Sequence, residues 1–251
     1  MVRETHPTLL REDAMAQGKI GRGVSVTFYG HSAFKLTDGK VSVVIDPWLS
    51  NPLLNTTLDQ VGKVDLILVT HGHGDHVGET VPLSKKTGAP VVAIHELSVI
   101  MSNQGAPQVI GMNKGGTVPF HGLQITMTNA IHSSAVEEGG KLIAAGDPGG
   151  FVIKFPNGFT AYHAGDTAVF KDMELIRELY QPELAMLPIG SHYVMNPAEA
   201  ALACKLLQPK WVIPMHYGTF PVLTGTPEEL RELIKGLGIE VIALKPGETV
   251  E

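Results

Sequence analysis

Asp65-Leu66-Ile67-Leu68-Val69-Thr70-His71-Gly72-His73-Gly74-Asp75-His76 joins an apolar run to a cluster of metal-capable side chains. Its first half is aliphatic and β-branched with no alternating polar face, the pattern of a strand covered on both sides. Its second half sets three imidazoles and a carboxylate in one loop. Glycines at 72 and 74 let the backbone turn tightly, so alternate side chains can converge on one region. Imidazole and carboxylate are the donors that zinc, iron and manganese accept. Four such donors from one loop cannot all close around a single ion in sensible geometry. Two ions are therefore expected, with further ligands supplied from elsewhere.

Three later segments offer them, each at or beyond the end of an apolar run. They are His132 in Asn129-Ala130-Ile131-His132-Ser133-Ser134, Asp166 in His163-Ala164-Gly165-Asp166-Thr167, and His216 in Pro214-Met215-His216-Tyr217. Asp46 closes another apolar run, a poor place for a carboxylate without a partner.

Short β-branched runs predict strands at 24–29, 41–46, 65–70, 91–94, 123–128, 151–155, 160–163, 184–189, 211–215 and 241–244. Helices are expected at about 77–86, 96–104, 172–180, 197–207 and 227–237. Pro197 and Pro227 suit a first helical turn, with Asn196 and Thr226 in front of them as N-caps. No repeat or low-complexity linker divides the chain, so residues 23–251 read as a single α/β domain behind a frayed lead-in at 1–22. The glycine-rich stretch 138–150 reads either as a plain hairpin connection or as a mobile flap over a site.

The composition sets limits on function. The chain has 251 residues, 43% hydrophobic and 18% charged, with a formal net charge of −6. It is long enough to bury a sizeable core without staples. A single cysteine, Cys204, lies in an apolar run, which excludes a disulfide scaffold and reads as a buried structural thiol. No Lys/Arg run marks a nucleic-acid backbone site, so no nucleic-acid partner is favoured. No continuous apolar stretch reads as a secretory signal or membrane span, and a cytoplasmic location is expected.

The order H-x-H-x-D-H, then His, then Asp within Ala-Gly-Asp-Thr, then His after an apolar strand, resembles the metallo-β-lactamase superfamily. Tyr29-Gly30-His31-Ser32-Ala33-Phe34, Ile45-Asp46-Pro47-Trp48, Pro188-Ile189-Gly190-Ser191-His192-Tyr193 and Met215-His216-Tyr217-Gly218-Thr219-Phe220 resemble its small metal-dependent hydrolase branch, related to ascorbate-6-phosphate lactonase-like proteins. The resemblance spans about residues 24–245. It implies a four-layer αββα sandwich with a dinuclear site at one edge between the sheets. Carried over by position, His71, His73 and His132 would bind one metal, Asp75, His76 and His216 the other, and Asp166 would bridge them.

The implied cofactors are two divalent ions, zinc first, with manganese or iron as alternatives. The implied chemistry is attack by a hydroxide held between them on a small-molecule ester, lactone or phosphodiester. Asp75 would orient that hydroxide and accept its proton. His192 would bind substrate or protonate a leaving group. Asp46 would support the histidine loop, His163 would be structural or supporting, and His31 is open between a pocket role and a structural one. His6, His95 and His121 read as surface or core residues.

Two other readings stand beside this one: a phosphodiesterase or ribonuclease-like enzyme, and a non-hydrolytic iron-dependent oxidoreductase on the same ligands. A homo-oligomer is a reasonable expectation for such an enzyme, although no interface can be read. Residues 49–58 would be pocket wall or oligomer contact.

Overall fold

The computed structural model describes residues 20–251. The first half runs β1 (Ser25–Gly30), β2 (Ala33–Thr37), β3 (Ser42–Ile45), a small hairpin of β4 (Ser50–Asn51) and β5 (Leu54–Asn55), α1 (Leu58–Val61), β6 (Leu66–Leu68), α2 (Gly74–Val77), α3 (Thr80–Thr87), β7 (Val91–Ile94), α4 (His95–Asn103) and β8 (Val109–Met112). The second half runs β9 (Thr117–Phe120), β10 (Leu123–Asn129), β11 (Ala135–Glu138), β12 (Lys141–Ala144), β13 (Gly149–Lys154), β14 (Thr160–His163), α5 (Met173–Tyr180), β15 (Leu184–Pro188), α6 (Pro197–Leu207), β16 (Trp211–Met215), α7 (Pro227–Leu233), β17 (Glu240–Val241) and β18 (Thr249–Val250).

Two seven-stranded sheets result, in the orders β18-β1-β2-β3-β6-β7-β8 and β17-β16-β15-β14-β13-β10-β9. Every residue of β3, β6, β7, β14 and β15 is buried, as strands covered on both faces must be. One face of each sheet meets the other sheet. Helices α3 and α4 connect strands of the first sheet and α5, α6 and α7 those of the second, which completes the αββα sandwich. Each sheet is parallel through one half, from its central strand to one edge, over β3-β6-β7-β8 in one and β14-β15-β16-β17 in the other. Parallel strands bring their carboxyl ends to one edge, the usual place for a ligand in such sheets.

The lead-in boundary at residue 22 needs correction. Residues 1–19, including His6, lie outside the described residues, but residues 20–22 are held by the domain. Ile20 is buried and its N–H donates to Glu251 O at 2.8 Å, while Arg22 pairs with Glu183 at 3.3 Å. The helix expected at 77–86 is also divided. Gly78, at φ +38°, turns the chain between α2 and α3, and a Cβ there would stand 2.5 Å from Trp48 Cα. The helix expected to reach 237 stops at Leu233, ahead of Gly236 and Gly238, both at positive φ.

Stretch 138–150 holds the turn and second strand of the β11–β12 hairpin, closed by Gly139 and Gly140 at φ +57° and +73°. Two consecutive positive φ values match the twist of a tight hairpin. Cys204 is fully buried and burial pushes its thiol up to about 12, which keeps it inert at neutral pH.

At the edge where the carboxyl ends meet, the two sheets are tied by the Gly149 N–H, which donates to Thr70 O at 3.1 Å. Gly165 packs into this seam at φ +61°, and a Cβ there would lie 2.7 Å from Gly149 O and 2.9 Å from Thr70 Cβ. Both constraints act at once, so Gly165→Ala is expected to lower stability by about 2 kcal/mol or more, a left-handed penalty plus overpacking. Urea unfolding checks this, and a loss within about 0.5 kcal/mol, the range of an ordinary surface change, would contradict it.

Candidate metal centre

The seam carries the chemistry-bearing residues. His71, His73, Asp75 and His76 follow β6, His132 follows β10, Asp166 follows β14 and His216 follows β16. All seven come together. Ligand-capable atoms within 4.8 Å of one another form three groups: His71, His73 and His132; His71, His76 and Asp166; and His31, Asp75, His76 and His216. Asp166 sits among four rings. Its Oδ2 lies 3.0 Å from His216 Nε2, 3.6 Å from His132 Nε2 and 3.9 Å from His71 Nε2, and its Oδ1 lies 3.2 Å from His76 Nε2.

The outer nitrogens fix how two of the rings present themselves. Asp46, buried at the end of β3, accepts from Thr70 N–H at 2.8 Å, from Thr70 Oγ1–H at 2.7 Å and from His76 Nδ1–H at 2.8 Å. Because the Thr70 hydroxyl donates to Asp46, it accepts from His71 Nδ1–H at 3.0 Å. Nε2 of His71 and of His76 is thereby turned toward the cluster, the arrangement that carboxylate-supported metal histidines adopt. His163 holds the Asp166 loop: its Nε2–H donates to Ser32 O at 3.0 Å and its Nδ1 accepts from Gly165 N–H at 3.2 Å.

The cluster fits divalent cations by its own chemistry. Among the described residues, His76 Nε2, Asp166 Oδ1 and His216 Nδ1 are buried without a hydrogen-bond partner. Orphaned polar atoms of this kind are costly. The first two face each other at 3.2 Å without hydrogen-bond alignment, and a shared cation satisfies both.

Burial is the first cause lowering His71, His73, His132 and His163, and it pushes His31 down to about 4, the last despite its bond to Asp75. His76 is the exception. Burial opposes its charge, but Asp166 and Asp46 on either side outweigh that and hold it well above the usual value. For Asp75, burial acts upward, yet the bond from His31 and the charge of His76 outweigh it and hold the carboxyl well below the usual range.

His192 stands apart from the seven. It is exposed, its ring 4.4 Å from that of Tyr193, and no metal-capable grouping among the described residues includes it. Its loop does reach the centre: Met195 N–H donates to Thr167 O at 3.3 Å, and Gly190 packs directly on His216 O. Ser191 and His192 both adopt positive φ, at 68° and 52°. Trp48 and Phe220 stack at 5.9 Å, with Trp48 edge-on to His31 at 5.1 Å. Leu53, in the β4–β5 hairpin beyond Trp48, is exposed, whereas Leu54 packs on the core. His95 and His121 are exposed and belong to no metal-capable group among the described residues.

The parts that sequence reasoning missed are hydroxyls. Thr70 carried a signal, being the last residue before His71, and Thr219 stands in the 215–220 motif with no role assigned to it; its Oγ1 meets His31 Nδ1 at 2.8 Å.

Comparison with known proteins shows the family. The beta-lactamase superfamily domain matches residues 42–217. The chain belongs to the beta-lactamase superfamily. Within the superfamily it is 51% identical over 241 residues to a UPF0173 metal-dependent hydrolase of Rubrobacter xylanophilus, covering 93% of this chain and 98% of the relative. A UPF0173 metal-dependent hydrolase of Methanopyrus kandleri is 48% identical over 229 residues, covering 90% and 99%. Igni18, a metallo hydrolase from the hyperthermophilic archaeon Ignicoccus hospitalis, has a similar structure, with TM-score 0.82, 42% identity and coverage of 90% and 97%. The chain is thus a member of the superfamily's metal-dependent hydrolases. No helix among the described residues is long and apolar enough to cross a membrane.

The buried rings give the metal-free protein a definite pH response. For the five lowered histidines the unfolded chain takes up protons below about 6.5 and the folded chain does not. Their contribution is present above that pH and lost as the pH falls. His76 runs the other way: its contribution is full below 6.5 and lost as the pH rises through its raised value. Five groups against one set the net sign, so with a chelator present Tm is expected to fall between pH 7 and pH 5 by about 4 °C or more. A Tm that is flat or rising over that interval would contradict this assignment.

Proposed function

We propose that the chain holds two divalent cations and hydrolyses a small-molecule ester, lactone or phosphodiester. The observation carrying this reading is the position of Asp166, within 4 Å of a nitrogen of His71, His76, His132 and His216. His71, His73 and His132 would hold one ion and Asp75, His76 and His216 the other, with the Asp166 carboxylate within reach of both sets. Zinc suits these donors best, with manganese and iron as the alternatives. Such ions, when bound, bring the pKa of water down to about 7 and polarise the electrophile's oxygen.

The chain's own residues supply the rest. Asp75 remains ionised and its side chain is 25% exposed, so it can orient a water at the edge of the ring and take its proton. His71 and His76 keep their inward nitrogens through Thr70 and Asp46. His192, exposed on a loop anchored to the Asp166 and His216 segments, is the ring with access to a leaving group. Segments 29–34, 46–49, 70–77, 129–134, 163–170, 188–196 and 214–223 contain no Lys or Arg. That supports a small substrate over a polyanionic one such as RNA, whose binding draws on cationic contacts.

Metal content per chain, with turnover of bis-p-nitrophenyl phosphate against simple lactones and thioesters, tests the reading. Two ions per chain are expected, with turnover reduced by about a hundredfold or more in Asp75→Asn, in line with loss of a general base. His71→Ala is expected to abolish it. Circular dichroism should show both variants folded. A single iron and no hydrolysis of any of these substrates would overturn the proposal in favour of oxygen chemistry.

A further inference from the structure

His31 is fully buried and follows β1 in the first sheet, at the end of the seam, with φ +55°. Its Nε2 lies 3.1 Å from Asp75 Oδ2 and its Nδ1 2.8 Å from Thr219 Oγ1. An ionised carboxylate can only accept, so Nε2 carries the proton and donates to Asp75. The Nδ1 of a neutral ring then accepts, and the Thr219 hydroxyl is its donor. The backbone acts too: His31 O accepts from His216 N–H at 2.7 Å. One residue thus grips two members of the same group from both sheets, Asp75 through its ring and His216 through its carbonyl.

His71, His73 and His132 receive no such support from it. The hydrogen bonds of His71 and His73 run to Thr70, to one another and to Ser133, and His132 nears Asp166 at 3.6 Å; none of these contacts involves His31. Trp48 and Phe220 pack against the His31 ring at 5.1 and 5.8 Å and His216 at 3.9 Å, which locks its rotamer.

We infer that His31, held by Thr219, is the positioning residue of the second cation site, setting the Asp75 carboxylate and the His216 loop for that ion and leaving the first site untouched. The inference rests on the two-ion reading above. It deepens that reading by making the two sites separable: one is supported by Asp46 and Thr70, the other additionally by His31 and Thr219.

Cobalt(II) titration of chelator-stripped protein, followed by visible absorbance, tests this without any substrate. Wild type is expected to take up two equivalents. His31→Gly suits the positive φ, keeps the carbonyl and removes the ring. It is expected to weaken the second equivalent about ten- to a hundredfold, as loss of a supporting partner does, with the first unchanged. His31→Gln restores an N–H donor of similar reach and should recover part of that loss. Thr219→Val keeps the shape and removes only the hydroxyl, and, with circular dichroism checking its fold, should weaken the second equivalent in the same sense.

Equal loss of both equivalents in His31→Gly would mean a general structural role and overturn the inference. So would loss in His31→Gln as large as in His31→Gly, or wild-type titration of Thr219→Val. If wild type itself takes up one equivalent, the two-ion reading fails first, and that result is distinguishable because no variant is needed to see it.

Discussion

The buried Asp46 carboxylate is the constraint on which the working edge of this molecule depends. It stands beyond β3 and accepts three hydrogen bonds, two from Thr70 and one from His76. These bonds fasten the carboxyl end of one parallel strand to the next and fix the orientation of two imidazoles in the loop that follows. A buried carboxylate must be satisfied in this way. Here the groups that satisfy it are the strand end and the ligand loop, so stability of the seam and presentation of the ligands are one requirement.

Strain collects at the same edge. Asp46, His31, Ser191, His192 and His216 are non-glycine residues with positive φ, and each follows the end of a strand near the seam. Such conformations cost on the order of 1–3 kcal/mol each and persist where the surroundings over-determine them. At His31 and His216 the surroundings are explicit: each is bonded to the other across the two sheets, through His216 N–H and His31 O at 2.7 Å. The sharp turns aim side chains into the gap between sheets instead of along them, which a strand simply continued would not do.

The electrostatics of the metal-free cluster and its affinity for cations have a common origin. Burial strips water from the rings and keeps most of them neutral, with lone pairs available. The two carboxylates at Asp75 and Asp166 stay ionised inside the same region because ring nitrogens surround them. His76, between Asp46 and Asp166, holds a proton in the place where the donor set suits an ion. Proton and metal therefore compete for one position, as expected where binding couples to ligand deprotonation.

Much of this was legible in one dimension. H-x-H-x-D-H after a buried-strand pattern marked the loop, because glycines between the ligands and an apolar run before them act locally. The later ligands, His132, Asp166 and His216, could be picked out because each follows its own strand, and the resemblance to the superfamily supplied their order. Several strands escaped. β2 carries a lysine among its five residues and so shows no apolar run, and the β11–β12 hairpin is too exposed to show one. Residues 20–22 were assigned to a frayed end because the contacts that hold them come from residues 157, 183 and 251, far along the chain. The sequence by itself determined an α/β domain with metal-capable side chains at the ends of its apolar runs, since hydrophobic pattern and local turn chemistry act over short distances. The layered sandwich and the meeting of those side chains at one edge were implied by the resemblance to the superfamily. Tertiary structure decided how they meet. That Asp46 serves Thr70 and His76, and that His31 grips Asp75 and His216 together, both follow from contacts that span long stretches of chain.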